Sequence, residues 1–157
     1  MKTLITPAQT VALAFADGEY LPPESVTEAD IAAAEVRSIL PVVGEKLYEK
    51  LLAGAYPELT GDYLAAPLAL FTRLEIQPRL DIRTGPCGSV APESSTCRPA
   101  GDEALRRLRH SLRRQARTLL RRASEYLTAH ADDYPEYDCR KDVLKRCSTD
   151  GNLVQMR

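Results

Sequence analysis

A row of basic side chains between residues 101 and 131 is the part of the sequence best suited to chemistry with a partner. This segment contains eight arginines. On a helical wheel of about 100° per residue, six basic residues share one side, which we name the arginine face: Arg106, His110, Arg113, Arg114, Arg117 and Arg121. Guanidinium groups bind carboxylates and phosphates. The arginine face is therefore the candidate partner-binding site. An acidic protein and DNA both stay open as partners, and a solvated surface is the simplest interpretation.

The sequence offers little for catalysis or metal binding. It lacks the common phosphate-binding, serine-hydrolase, zinc-protease and dinucleotide-binding motifs. Neither His110 nor His130 has a candidate nucleophile and an orienting acid nearby in sequence. The four cysteines lie too far apart for the usual spacing of zinc ligands: Cys87, Cys97, Cys139 and Cys147. We expect no enzymatic activity, no cofactor, no metal, no small-molecule substrate, and free thiols.

A long helix over residues 101–131 must position the arginine face. Apolar residues recur there at steps of three or four and predict one buried stripe: Leu105, Leu108, Leu112, Ala116, Leu119, Ala123 and Leu127. Asp102 and Glu103 lie in the first turn, where the helix dipole favours negative charge. The arginine face lies opposite the stripe and is expected to be exposed.

A second helix is predicted over residues 62–83, with apolar side chains on more than one side, as is typical of a central core helix. Pro67 is expected to mark its first turn or to kink it, and Pro78 to bend or end it. Residues 84–101 follow, with three Pro, three Gly and three Ser, and predict one long loop. An arm that reaches a neighbouring subunit and simple disorder are equal alternatives for this loop.

Residues 26–54 predict two helices joined by an elbow. Ser25 and Glu28 have the spacing of a capping box, and the apolar stripe of the first helix is read as Ala29, Ala32, Val36 and Leu40. Pro41 removes a backbone donor and Gly44 permits a reversal, so these two residues form the predicted structural elbow. A short amphipathic helix follows and ends at Gly54.

The beginning of the chain also predicts a helix. Thr6 as N-cap, Pro7 at the first helical position and Gln9 at the third form a capping-box start. Polar residues interrupt any hydrophobic run there, so a signal peptide is the minority interpretation, and no stretch is long enough to span a membrane.

The order AAAEVRSILPVVG, EKLYEKLLAG, a tyrosine-rich turn and an apolar helix resembles head-tail connector proteins of tailed bacteriophages, the adaptors that complete the head beneath the portal. The likeness is to the branch found in phages and prophages of gut Bacteroides-like bacteria. It covers most of the chain and leaves the last twenty or so residues unsupported. The resemblance implies a virion structural protein that assembles as a ring, with portal and tail proteins as partners. It also implies location in the virion neck, and in the host cytoplasm during assembly.

Together these patterns predict an all-α fold, a single helical domain of five or six helices with one long loop. Residues 1–131 form the connector-like domain, and residues 132–157 form a short helix, with Asp138 as N-cap, and a tail. The net charge is −5 for residues 1–80 and +4 for residues 81–157, which suits head-to-tail packing of identical subunits. The function expected is that of a structural adaptor. The first alternative is a nucleic-acid-binding helical protein that uses the arginine face. A second alternative is a small intracellular enzyme with an unrecognised site.

Overall fold

The computed structural model of the chain describes residues 2–16, 19, 21–85, 88–91, 99–145, 148–150 and 153–155. It confirms the predicted all-α single domain. In chain order, the α-helices are α1 (Pro7–Ala14), α2 (Glu28–Ala34), α3 (Leu40–Val43), α4 (Glu45–Leu52), α5 (Ala65–Asp81) and α6 (Asp102–Ala129). A 3₁₀ turn (Pro23–Ser25) precedes α2, and π-helical turns precede α3 (Glu35–Ile39) and α5 (Leu59–Leu64).

The first two helices both begin with a capping box. In α1 the Thr6 side chain accepts from the Gln9 amide while the Gln9 side chain accepts from the Thr6 amide, as the sequence predicted. In α2 the prediction was two residues too early, because the N-cap is Thr27 and its partner is Asp30. Ser25 belongs instead to the 3₁₀ turn, which Pro23 begins and which the extended residue Pro22 precedes.

The buried side of α2 also differs from the predicted stripe. Val36 is 56% exposed, whereas Ile31 and Ile39 are fully buried. Residues 31, 35 and 39 are spaced by four, so the true stripe passes through the carboxylate of Glu35, which is also fully buried. A stripe selected for apolar residues alone could not include this position.

The elbow lies where the helix of residues 28–43 ends. Gly44 has φ +79° and ψ 160°, which breaks the helix between α3 and α4. Pro41 does not break it, because Pro41 lies in the first turn of α3, directly after the π-helical turn. Gly54, with φ +91°, ends α4 as expected.

Helix α5 is the centre of the fold. It packs against α1, α2 and α6, and its buried residues lie on more than one side of the helix, as predicted. Pro67 lies in its first turn, and the helix continues through Pro78 to Asp81. The buried guanidinium of Arg73 donates to the Ala14 carbonyl (2.6 Å) and to both carboxylate oxygens of Glu19 (2.7 and 2.9 Å).

Helix α6 closes the core from one side, and its predicted length is confirmed to within two residues at each end. Its buried residues are Leu112, Ala116, Leu120, Ala123, Ser124 and Leu127. Leu120 therefore takes the place predicted for Leu119, which is only partly buried.

The predicted long loop begins with a short hairpin. Strands β1 (Arg83–Gly85) and β2 (Gly88–Val90) pair antiparallel, with Arg83 opposite Val90. Residues 92–98, where most of the proposed arm would lie, are outside the described residues.

Beyond α6 the chain folds back onto the domain. Tyr134, Tyr137 and Asp142 are buried, so residues 132–145 are packed onto the first 131 residues. The predicted short helix starting at Asp138 is wrong, since residues 138–145 form turns. The buried carboxylate of Asp142 explains why no helix forms. It accepts hydrogen bonds from the hydroxyls of Ser124 and Tyr137 and from the Leu144 amide. Strands β3 (Ser148–Asp150) and β4 (Leu153–Gln155) form a second short antiparallel hairpin.

Candidate functional site

A groove of about 770 Å³ runs between α6, α5 and the end of the α2–α3 helix. We name it the arginine groove. Its charged wall is formed by α6, with Arg113, Arg117 and Arg121, and its apolar floor includes Phe71 and Leu74 of α5. The opposite side is formed by residues of the α2–α3 helix and of the turns beyond α6: Arg37, Ser38, Pro41, Val42, Val143 and Leu144.

The geometry of α6 explains why the arginines meet an apolar surface. Leu112, Ala116 and Leu120 point into the core at steps of four. Arg113, Arg117 and Arg121 each follow a buried residue by one position, about 100° around the helix. They therefore emerge at the edge of the packed face, where guanidinium groups can lie beside apolar side chains.

All six residues of the arginine face are exposed, and the structure places them along the same side of α6. Three of the arginines line the arginine groove. His110 and Arg114 line a smaller depression of about 370 Å³ on the outer side of the same helix. Arg106 lies nearer the start of α6, in a third depression beside Leu80 and Pro99.

The arginine face carries uncompensated charge. Other arginines have acidic partners: Arg109 pairs with Asp81 (2.9 Å), Arg107 with Glu103, and Arg37 with Glu75 (2.8 Å). Within the described part of the chain, none of the five arginines of the arginine face forms an ion pair. Among the described residues, Glu75 is the one acid that lines the arginine groove, and it already pairs with Arg37.

This arrangement suits an anionic ligand that also has apolar groups. Exposed, unpaired guanidinium groups can form paired hydrogen bonds with carboxylates or phosphates and can stack on aromatic rings. The floor residues Phe71 and Leu74 are only partly buried and offer apolar contact to the same ligand. A groove with both features fits a protein segment.

The arginine face has no arrangement of side chains suited to nucleophilic catalysis. His110 is exposed and lies among arginines, and its neighbour Ser111 projects in a different direction from the helix. Within the ranges that the structure describes, no group of three or more His, Cys, Asp or Glu side chains is placed to hold a metal ion. Cys139 is exposed and has a free thiol. Cys87, Cys97 and Cys147 lie outside the described residues.

The predicted elbow borders the arginine groove. Pro41 is exposed and lines it, and the Pro41 carbonyl accepts from the Val143 amide at 3.1 Å. Gly44 lies three residues further on and is not among the lining residues. The elbow thus joins the C-terminal turns to one side of the groove.

Sequence reasoning missed a buried carboxylate next to this region. The Glu35 side chain accepts from the Leu4 amide at 2.6 Å and from the Tyr48 hydroxyl at 2.7 Å. Burial raises the pKa of Glu35, and the two hydrogen bonds only partly offset this. The single usable signal was its spacing of four from both Ile31 and Ile39. Glu35 ties the N-terminal segment and α4 to the π-helical turn and has a structural role.

A family profile matches residues 39–145, which include α3 to α6 and most of the arginine groove. The chain belongs to the Family of unknown function (DUF6712). The DUF6712 match begins after Arg37 and Ser38, so these two lining residues lie outside it. No curated protein and no solved structure matches the chain. Within the part of the chain that the structure describes, no helix combines the length and the apolar character needed to span a membrane.

Proposed function

We propose that this chain is a structural adaptor, a head-tail connector of a tailed bacteriophage or prophage of the Bacteroides type, and that its arginine groove binds protein. In this proposal copies of the chain assemble as a ring between portal and tail, in the host cytoplasm during assembly and then in the virion neck. Support comes from the resemblance over residues 26–54 and from the helix–elbow–helix arrangement found there. The chain acts without catalysis or cofactor.

The proposal rests on one observation: arginines that form no ion pair among the described residues lie next to an apolar floor. Arg113, Arg117 and Arg121 stand beside Phe71 and Leu74 in one groove. Protein interfaces are enriched in arginine and aromatic residues, with an apolar centre and a polar rim. A phosphate backbone would use the arginines but would leave the apolar floor exposed to water.

One observation favours the second candidate, a nucleic-acid-binding protein. Arg106 and Arg114 are exposed and outside the arginine groove, and neither pairs with an acid in the described ranges, so the charge extends beyond the apolar floor. Phosphate contacts would account for this extension. The two candidates differ in the salt dependence of binding by the free chain.

The experiment compares three forms of the chain, co-expressed with the portal protein encoded in the same genome. In the test variant, Arg113→Glu and Arg117→Glu reverse two charges in the arginine groove. Because both side chains are exposed, we expect an unchanged fold, and we expect loss of co-purification with the portal or of tail joining. Arg107→Glu is the matched control, since Arg107 is exposed on the same helix but lines none of the three depressions described above. It should assemble like the wild type.

The free wild-type chain is also titrated with duplex DNA at several salt concentrations. The adaptor proposal expects little binding. Two results together would favour the nucleic-acid-binding alternative over the adaptor. One is tight binding in which the logarithm of the binding constant falls with the logarithm of the salt concentration by about one per phosphate contact. The other is normal tail joining by the test variant.

A further inference from the structure

The far end of α6 presents a second unusual surface, built from aromatic rings. Tyr63 stacks on Tyr126 with centroids 4.0 Å apart, and Tyr126 stacks on His130 at 4.2 Å. Tyr134 packs edge-on against Tyr56 at 4.9 Å. The rings of Tyr56, Tyr63 and Tyr126 are only partly buried, so they reach the surface.

Three acidic residues accompany these rings. We name them, with the rings, the acidic end: Glu58, Asp133 and Glu136. The Tyr56 hydroxyl donates to Glu136 at 3.1 Å. Burial raises the pKa of the Tyr134 hydroxyl, and the neighbouring Tyr126 hydroxyl and the charges of Asp133 and Glu58 act in the same direction. Arg122, whose guanidinium lies 5.2 Å from the centre of the Tyr63 ring, is a cation at the border of this surface.

The acidic end and the arginine groove are separated along one rigid element. Arg121 is the groove arginine nearest to the acidic end, and from Arg121 to Tyr126 the helix rises by about 7.5 Å, at 1.5 Å per residue. This is close to the Debye length of about 8 Å at physiological salt, and among the described residues no arginine of the groove forms an ion pair with an acid of the acidic end. The chain thus exposes two surfaces of opposite charge, and the unpaired arginines show that folding leaves the positive one unsatisfied.

We propose that the occupant of the arginine groove is the acidic end of a second copy of this chain. This deepens the proposed function and rests on it for the place of the contact in a neck ring. The chemistry of the two surfaces matches on two counts. Carboxylates pair with guanidinium groups. Partly exposed tyrosine rings can pack on the apolar floor and can stack against the flat face of an arginine.

The contact also has a defined symmetry. Each copy would contribute its arginine groove to one neighbour and its acidic end to the other, so the interface joins two different surfaces. Such head-to-tail interfaces generate rings when the rotation closes and filaments when it does not. A twofold dimer, in which each copy's groove holds the other copy's acidic end, would use the same contact, and the size of the wild-type assembly distinguishes it from a ring.

The test uses charge reversal on each surface separately. The groove variant carries Arg113→Glu and Arg117→Glu, and the end variant carries Glu58→Lys and Asp133→Lys. Sedimentation of the wild type at concentrations up to about 1 mM, where even a weak contact is populated, should show association that weakens when salt is raised from about 0.05 to 0.5 M. Each variant alone should remain monomeric at least tenfold above the concentration at which the wild type associates.

Mixing the two variants gives the decisive result. The intact acidic end of the groove variant can bind the intact groove of the end variant, and the two reversed surfaces also match in charge. An equimolar mixture should therefore associate at concentrations where each variant alone stays monomeric. A chain carrying all four substitutions should associate again, because both charges are reversed together. Arg107→Glu and Glu24→Lys are the matched controls, since both residues are exposed and lie outside the two surfaces. They should associate like the wild type.

Two results would overturn this inference. One is a wild type that stays monomeric over the whole concentration range at low salt, and the other is a mixture of the two variants that stays monomeric. If the groove variant still fails to bind the portal while either result holds, the proposed function survives and only the second copy as occupant is rejected. If the chain associates as described but does not engage portal or tail, the interface stands and the neck function fails.

Discussion

At the scale of single residues, Glu35 is the most consequential side chain outside the arginine face. A carboxylate that is fully buried costs free energy unless its oxygens are hydrogen-bonded. Here each oxygen has one donor, the Leu4 amide and the Tyr48 hydroxyl. These bonds connect three separate stretches of the chain, and the raised pKa of Glu35 shows that they do not fully compensate for burial.

The sign of the Glu35 shift predicts how stability depends on pH. A carboxyl whose pKa is raised on folding stabilises the fold most below its ordinary pKa, and this contribution is lost as the pH rises through the raised pKa. Glu35→Gln removes the titration while keeping an acceptor for Leu4 and a polar group for Tyr48. As the pH rises from 4 to 8, the wild type should therefore lose unfolding free energy relative to Glu35→Gln. Urea denaturation of both proteins at each pH measures this difference.

Glu35→Ala serves as the comparison, because it leaves both donors unsatisfied and a cavity in the core. It should lose about 2 kcal/mol or more at every pH. If Glu35→Gln followed the same pH dependence as the wild type, the buried carboxylate would not be the group responsible.

Sequence patterns predicted single residues correctly where the residue type has one usual structural role. Gly54 and the Thr6–Gln9 capping box could be placed from local rules, and the structure has them as expected. Glu35 could not be recognised, because glutamate in a helix usually faces solvent and its partners lie 31 and 13 residues away. The prediction of Ser25 as the N-cap of α2 was wrong because Thr27 and Asp30, two residues later, offer an equally good capping box.

At the scale of elements, the two π-helical turns limit what periodicity can predict. A π turn closes i→i+5 hydrogen bonds and inserts a residue, which changes the phase of the helix that follows. The two π-helical turns, Glu35–Ile39 and Leu59–Leu64, directly precede the α-helices α3 and α5. Helix α6 has no such insertion, which is why its 28 residues and its exposed arginine face could be predicted.

The elbow gives a prediction for one of these elements. The backbone of Gly44, with φ +79° and ψ 160°, lies in a region that is essentially restricted to glycine. A Cβ added there would meet no atom within 4 Å, so Gly44→Ala tests the backbone conformation alone. We expect it to lower the unfolding free energy by about 1–3 kcal/mol, measured by denaturant unfolding.

Gly61→Ala is the matched control, since Gly61 is exposed, has no left-handed φ and also has open space around its Cα. This variant should be neutral or stabilising by up to about 1 kcal/mol. Equal losses in the two variants would show that the elbow places no special demand on Gly44.

The C-terminal turns show why residues 132–145 could not be assigned correctly from sequence. Asp138 resembles an N-cap, but the burial of Asp142 beneath Tyr137 competes with helix formation. Burial raises the pKa of the Tyr137 hydroxyl to about 12, and its bond to Asp142 acts in the same direction. These tertiary contacts bring Val143 and Leu144 to the edge of the arginine groove.

At the scale of the whole molecule, the sequence already showed the division of charge, −5 for residues 1–80 and +4 for residues 81–157. The structure adds where the unpaired part of that charge lies. Three arginines of the arginine face line an apolar groove, and the acidic, tyrosine-rich surface begins about 7.5 Å further along the same helix. The groove itself could not be predicted, because its floor and its charged wall come from helices separated by the long loop.

The most direct test of the adaptor proposal is electron cryomicroscopy of particles from a phage or prophage that encodes this chain. The proposal predicts a ring of copies between portal and tail, with each arginine groove filled by protein and its arginines within hydrogen-bonding distance of carboxylates. Particles whose neck lacks this chain, or a ring whose arginine grooves face DNA instead of protein, would contradict it.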